Sequence, residues 1–182
     1  MTDPTLGGLS QERADLLESL QRHRAFLRTT VDGITDDQAR ERTTVSELTL
    51  GGLIKHVAAT EQDWADFVVD GPADGPDIDW EQVDWSNPPP EVQARVDGFT
   101  LLPDETLAGV LADYDRVAAH TDELVRTVDL DHAHPLPTAP WFEPGATRSA
   151  RRVFVHVVAE TAQHSGHADI IREALDGQKT MG

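Results

Sequence analysis

The sequence predicts an all-α fold: a four-helix bundle with one long crossover between its second and third helices. Three observations predict it. Four long segments place apolar residues on one side with a period of 3.6, as helices that bury a single face do. Nothing alternates with period two for long enough to claim a sheet. The links are unequal, and the stretch from Gly71 to Pro103 is long enough to span a bundle, whereas shorter links favour antiparallel neighbours.

The first helix is expected from about Ser10 to Val31, with Ser10 as N-cap and Glu12 in the first turn. Arg13 stands where a capping box would place Glu or Gln, so only the simple cap is supported. Leu16, Leu17, Leu20, Phe26 and Leu27 form its apolar stripe, and Gly33 gives a stop signal. The second helix is expected from about Ser46 to Gly71, with Leu50, Leu53, Ile54, Val57, Trp64, Phe67 and Val68 inward. Gly51 and Gly52 weaken its first turns by about 1 kcal/mol each relative to Ala, a loss tolerable where a neighbour must approach closely.

The third helix runs from about Asp104 to Val128, with Leu107, Leu111, Tyr114, Val117, Ala118, Leu124 and Val125 inward. The fourth starts at Thr147 or Ser149 and ends at Leu175, closed by Gly177; its inward set is Val153, Val157, Glu160, His164, Ile171 and Leu175. A linker from Asp129 to Ala146 holds His132, His134, four prolines and Trp141-Phe142. One domain spanning residues 1–182 accounts for this length, which is enough for a sizeable core.

Composition excludes several classes of function. With 33 acidic against 15 basic residues the formal charge is -18, which opposes binding to nucleic acid or anionic lipid. Cysteine is absent, so disulfides, thiolate nucleophiles and thiolate ligands are excluded, and any thiol chemistry must use an external thiol. No signal peptide and no apolar run of membrane-spanning length is present, so a cytoplasmic location is expected. The acidic stretch from His56 to Ala94, without Lys or Arg, reads as a solvated loop or as a cation-attracting rim. No phosphate loop, nucleophile elbow or His-Glu-x-x-His pair is found.

The chemistry-bearing residues cluster in two helices. Glu160 and His164 stand one turn apart on the fourth helix, in register with its apolar stripe. A carboxylate and an imidazole buried together need a compensating partner, and a divalent metal shared with His56 of the second helix would supply it. Three ligands from His and Glu plus one open position form a normal catalytic zinc set, and nickel, iron, cobalt or manganese would accept the same donors. His156 is also four residues from Glu160 and is an alternative ligand. His167 pairs either with the site or with Asp169 or Arg172 near the surface. His132 and His134 approach the cleft only if their loop folds over it, and Asp63 is either an orienting group or solvated. Arg148, Arg151 and Arg152 form a small basic cluster, read as a carboxylate contact or as solvated arginines. Trp64, Trp80, Trp85, Trp141 and Phe142 are candidate pocket walls.

The segments LIKHVAATEQDW and HVVAETAQHSGHADIIREAL, with the overall length, resemble the DinB-like superfamily of metal-binding four-helix bundles. That group includes the N-terminal domain of mycothiol-dependent maleylpyruvate isomerase, and the chain looks like an actinobacterial branch of it. The resemblance implies His56, Glu160 and His164 as the metal ligands, with His156 as a neighbour. It implies an enzyme that joins a low-molecular-weight thiol of the mycothiol type to a small electrophile, the metal activating the sulfur. Maleylpyruvate isomerisation itself is not expected, because that enzyme uses a further C-terminal domain and this sequence stops soon after its fourth helix. A metal-dependent hydrolase of a small molecule and a non-catalytic metal-stabilised binding or scaffold protein are the competing readings. Homodimerisation through helix faces is compatible with any of them.

Overall fold

In the computed structural model, residues 8–73, 82–137 and 142–180 are described. Four long helices form the bundle: α1 (Gln11–Thr29), α3 (Leu50–Asp70), α5 (Leu107–Thr127) and α6 (Ala150–Asp176). Two short helices, α2 (Asp36–Arg40) and α4 (Pro90–Asp97), and two strands, β1 (Ala133–Pro135) and β2 (Thr147–Ser149), occupy the links. Apolar packing gives the direction of each helix. Leu17 of α1, Ala65 of α3, Leu124 of α5 and Val153 of α6 share one core cluster. Leu27, Leu53, Val110 and Ala168 of the same helices share the other. So α1 and α6 run one way, α3 and α5 the other, and the parallel pair α3–α5 requires the long crossover that the link lengths predict.

Local chemistry moves several boundaries inward. The Thr49 hydroxyl accepts the Gly52 N–H, so α3 starts after Thr49 and not at Ser46, whose hydroxyl closes a turn with Leu48 N–H instead. Thr106 caps α5 through Gly109 N–H, and Ser149 caps α6 through Arg152 N–H. Ser10 caps α1 as expected, and without a box. The box occurs in α2, where the Thr35 hydroxyl accepts Gln38 N–H and the Gln38 side chain accepts Thr35 N–H. That short helix also caps α5: Asp36 accepts Leu107 N–H at 2.8 Å. The proline run opens α4, because a proline at the first helical position lacks only an N–H that would be unpaired anyway.

A sheet too short to leave a period-two signal does form. β1 and β2 pair antiparallel, with His134 opposite Arg148. The ribbon returns the chain to the end of α3, where Gly71 adopts φ 81° and a Cβ would lie 2.9 Å from His134 Nδ1.

The buried stripes also differ from the expected ones. On α1 the inward turn between Leu20 and Leu27 is filled by Arg24, not by Phe26. On α6 the buried line runs through Val157, Thr161, Ser165, Ala168 and Arg172, so Glu160 and His164 lie at its edge and not within it. Thr161 and Ser165 donate to carbonyls one turn back, which lets polar side chains occupy core positions.

The crossover is what the glycines of α3 accommodate. A Cβ on Gly52 would stand 2.0 Å from the Phe99 carbonyl oxygen, and one on Gly51 would stand 2.9 Å from Leu101 Cδ2. Lys55 fixes the same segment, donating to the Thr100 carbonyl at 3.1 Å and to Glu105 at 2.8 Å. Gly52→Ala is therefore expected to destabilise by about 1–3 kcal/mol, although alanine is intrinsically the better helix former by about 1 kcal/mol. Gly166→Ala in α6, where a Cβ meets nothing within 4 Å, is the control and should stabilise by up to about 1 kcal/mol. Urea unfolding of the two variants reads the opposite signs.

Candidate functional site

His56 projects from the middle of α3, and Glu160 and His164 project one turn apart from the facing α6. Their side chains meet. Glu160 Oε1 lies 3.3 Å from His164 Nε2 and 3.7 Å from His56 Nε2. One donor atom from each residue falls within 4.8 Å of the others. Ligands placed tetrahedrally about 2.1 Å from one ion are separated by about 3.4 Å, so the donor set and its spacing fit a divalent cation with no large rearrangement. The three side chains are 19%, 25% and 12% exposed for His56, Glu160 and His164, so they are shielded but reachable from solvent.

Packing holds the rings in place. The His56 ring stacks on Phe99 at 3.7 Å between centroids and 19° between planes. The close approach of the crossover to Gly52 thus also positions a ring of the site. Thr60, one turn after His56, places Oγ1 3.5 Å from His56 Nε2. Neither Phe99 nor Thr60 stands out in the sequence; the i, i+4 relation to His56 is the signal for Thr60, and the glycine pair is the signal for the crossover.

Burial favours neutral imidazoles, the form that offers a lone pair. Burial pushes His56 down to about 4; the neighbouring His164 adds to this effect and Glu160 opposes it. Burial likewise lowers His164 against the attraction of Glu160. It also lowers His156, with Arg148 adding to the effect. The folded protein therefore binds fewer protons at these positions than the unfolded chain. The stability they contribute is fully present above the unfolded value of about 6.5 and is lost as pH falls below it, for His56 through about 4. With a chelator present, the urea midpoint should decline from pH 6.5 to 5, and His56→Asn should flatten that decline.

The remaining sequence candidates are distributed around this centre. His156 packs edge-on to Trp64, with centroids 5.0 Å apart, and stands outside the three-residue group. His167 pairs with neither Asp169 nor Arg172; its Nδ1 lies 3.5 Å from His164 Nδ1. His134 packs on Phe67 at the end of α3. Of the histidines with no expected role, His120 is exposed and His23 is half-buried against Phe26. The arginine cluster divides: Arg151 pairs with Glu12 and Asp131, while the Arg148 guanidinium lies 4.6 Å over the Trp64 ring.

A cavity of about 600 Å³ is lined by Thr60, Asp63, Trp64, Phe67, Arg95 and Phe142 among others, and Thr60 links it to His56. Trp64 and Phe142 are thus walls, as expected from the sequence, but Trp85 is 64% exposed and lines nothing there. Trp80 and Trp141 lie outside the described residues. Asp63 faces this cavity, and burial together with Asp66 raises its pKa. Among the described residues no helix is long and apolar enough to cross a membrane.

Comparison with known proteins agrees with this architecture. A crystal structure of a conserved protein from Enterococcus faecalis superposes with a TM-score of 0.60 at 16% identity, covering 91% of this chain and 97% of that one. That likeness establishes the shared fold. No curated protein matches the sequence. The family model described as mycothiol-S-transferase matches residues 15–177, which takes in all four long helices except the first turn of α1. With that match over nearly its whole length, the chain belongs to the mycothiol-S-transferase family, a DinB-like family.

Proposed function

We propose that the protein is a metal-dependent S-transferase that joins mycothiol to a small electrophile. The observation that carries this reading is the convergence of His56, Glu160 and His164 within 4.8 Å, joined through Thr60 to a cavity with aromatic and acidic walls. Membership of the family supports the thiol, and the absence of cysteine in the chain requires that the thiol come from outside. A divalent first-row ion, zinc above all, would be held by these three side chains and would supply the positive charge that favours a thiolate over a thiol.

The chain's own residues have separable tasks in this scheme. His56 and His164, kept neutral by burial, offer lone pairs, and Glu160 contributes the one negative charge of the set. The Thr60 hydroxyl borders both His56 and the cavity, so it can orient a polar atom brought alongside the donors. Trp64, Phe67 and Phe142 offer apolar walls to an electrophile, alongside the charged side chains of Asp63, Asp66, Asp70 and Arg95. The transfer breaks the S–H bond and forms one carbon–sulfur bond. In a substitution the bond from carbon to the departing group breaks and that group leaves with the electron pair and the proton; in an addition a carbon π bond is consumed and the proton ends on the substrate.

The decisive assay follows electrophile consumption with and without mycothiol, before and after chelation, in protein purified without a histidine tag. Consumption that needs both thiol and metal is the expected result. Turnover without thiol would identify a hydrolase. Bound metal with no turnover across a broad electrophile panel would identify a binding or scaffold protein.

A further inference from the structure

His164 presents its two ring nitrogens to different neighbours. Nε2 faces Glu160 at 3.3 Å, and Nδ1 faces Nδ1 of His167 at 3.5 Å, the outer edge of hydrogen-bond distance. The two histidines are three residues apart on α6, a spacing that brings side chains together on a helix surface. Their rings cross at 64° with centroids 5.4 Å apart.

The other groups the sequence offered to His167 are engaged elsewhere. The Asp169 carboxylate accepts the Thr180 backbone N–H at 2.7 Å and the Thr180 hydroxyl, tying down the C-terminal segment. Arg172 is buried and donates to the carbonyls of Thr30 and Asp32, both at 2.9 Å, as well as to Asp176 and Gln178. What remains beside the His167 ring nitrogen is His164.

We infer that His167 is a positioning residue for His164, accepting its Nδ1–H and so fixing which nitrogen offers a lone pair to a bound cation. A neutral imidazole has one protonated and one free nitrogen. If Nε2 is the donor toward the metal, the proton must sit on Nδ1, and that N–H needs an acceptor. The lone pair on His167 Nδ1 fills this role, which places the proton of His167 on its Nε2. The hydrogen bond holds the His164 ring against rotation and raises the basicity of Nε2. The inference rests on the reading of His56, Glu160 and His164 as the ligand set.

Two measurements test it without reference to activity. Long-range proton–nitrogen correlation spectra of the zinc-loaded protein should show His164 protonated at Nδ1 and His167 protonated at Nε2. Zinc competition against a chromophoric chelator should show about a 10–100-fold weaker affinity in His167→Phe, which keeps an aromatic ring but removes the acceptor. His167→Asn, whose amide oxygen can stand near the lost Nδ1, should recover most of that affinity. Thermal unfolding of the metal-free variants should match wild type, as a half-exposed position allows. Equal zinc affinity in wild type and His167→Phe, or a proton on His167 Nδ1, overturns the inference alone. Failure of wild type to bind zinc overturns the ligand set and the inference together.

Discussion

Replacing His164 by alanine is expected to reduce bound metal from about one ion per chain to background and to abolish thiol transfer. Loss of a group that merely supports a ligand weakens metal binding about 10–100-fold, so loss of a ligand itself should exceed that range. Two donors, His56 Nε2 and Glu160 Oε1, would remain 3.7 Å apart, too few to close a site. The fold should survive, because His164 lies at the edge of the buried stripe of α6 and the core beneath it is formed by Thr161, Ser165 and Ala168. His56→Ala should behave alike, with an added loss of the Phe99 stack. His156→Ala separates position from composition: it removes a nearby histidine that packs on Trp64, and it should keep the metal. Elemental analysis of the variants reads all three outcomes. Retention of equal metal by wild type and His164→Ala would end the proposed chemistry.

Glu61→Ala should destabilise the bundle by about 3–5 kcal/mol. Arg24 and Glu61 are 5% and 1% exposed, and they meet across α1 and α3 through two bonds of 2.5 and 3.1 Å. Asp122 of α5 takes a third bond from Arg24 at 2.7 Å. Burial alone would push the guanidinium pKa down, but Glu61 and Asp122 outweigh it and hold the value above its ordinary level. Deleting Glu61 leaves a buried cation with only the edge carboxylate of Asp122 for compensation. The paired replacement Arg24→Met with Glu61→Met removes both charges and their desolvation together, so it should recover most of the loss. This ion pair sits between the two apolar clusters and ties three helices in one register. Urea unfolding of the single and double variants measures the difference directly.

Much of the bundle can be read from residue spacing. The period of 3.6 locates four helices because each buries one side over many turns, and a signal repeated that often survives local exceptions. Ser10, Gly71 and Gly177 mark ends through chemistry confined to a few neighbouring residues. The glycine pair at Gly51 and Gly52 announces a close approach before the approaching segment is known. Short elements escape this reading. The α2 helix has five residues and each strand has three, so none completes enough periods to stand out.

The exceptions that matter most are polar residues in buried positions. Arg24, Thr161, Ser165 and Arg172 occupy core places that hydropathy assigns to apolar neighbours, because each finds hydrogen-bond partners inside the fold. With Thr161 and Ser165 on the buried line of α6, Glu160 and His164 stand at its edge, 25% and 12% exposed, and not in the expected core.

By itself, then, the sequence determined the helices, their order, the long crossover and a cysteine-free, strongly acidic chain; helical spacing nominated His56, Glu160 and His164, and the family resemblance favoured them over His156. Only the tertiary structure decided that these three side chains face one another, that Phe99 and Thr60 flank them, and that His167 turns toward His164. Periodicity fixes which side of one helix is buried, but the rotation of two helices about each other is set by how all their side chains, polar ones included, pack at once.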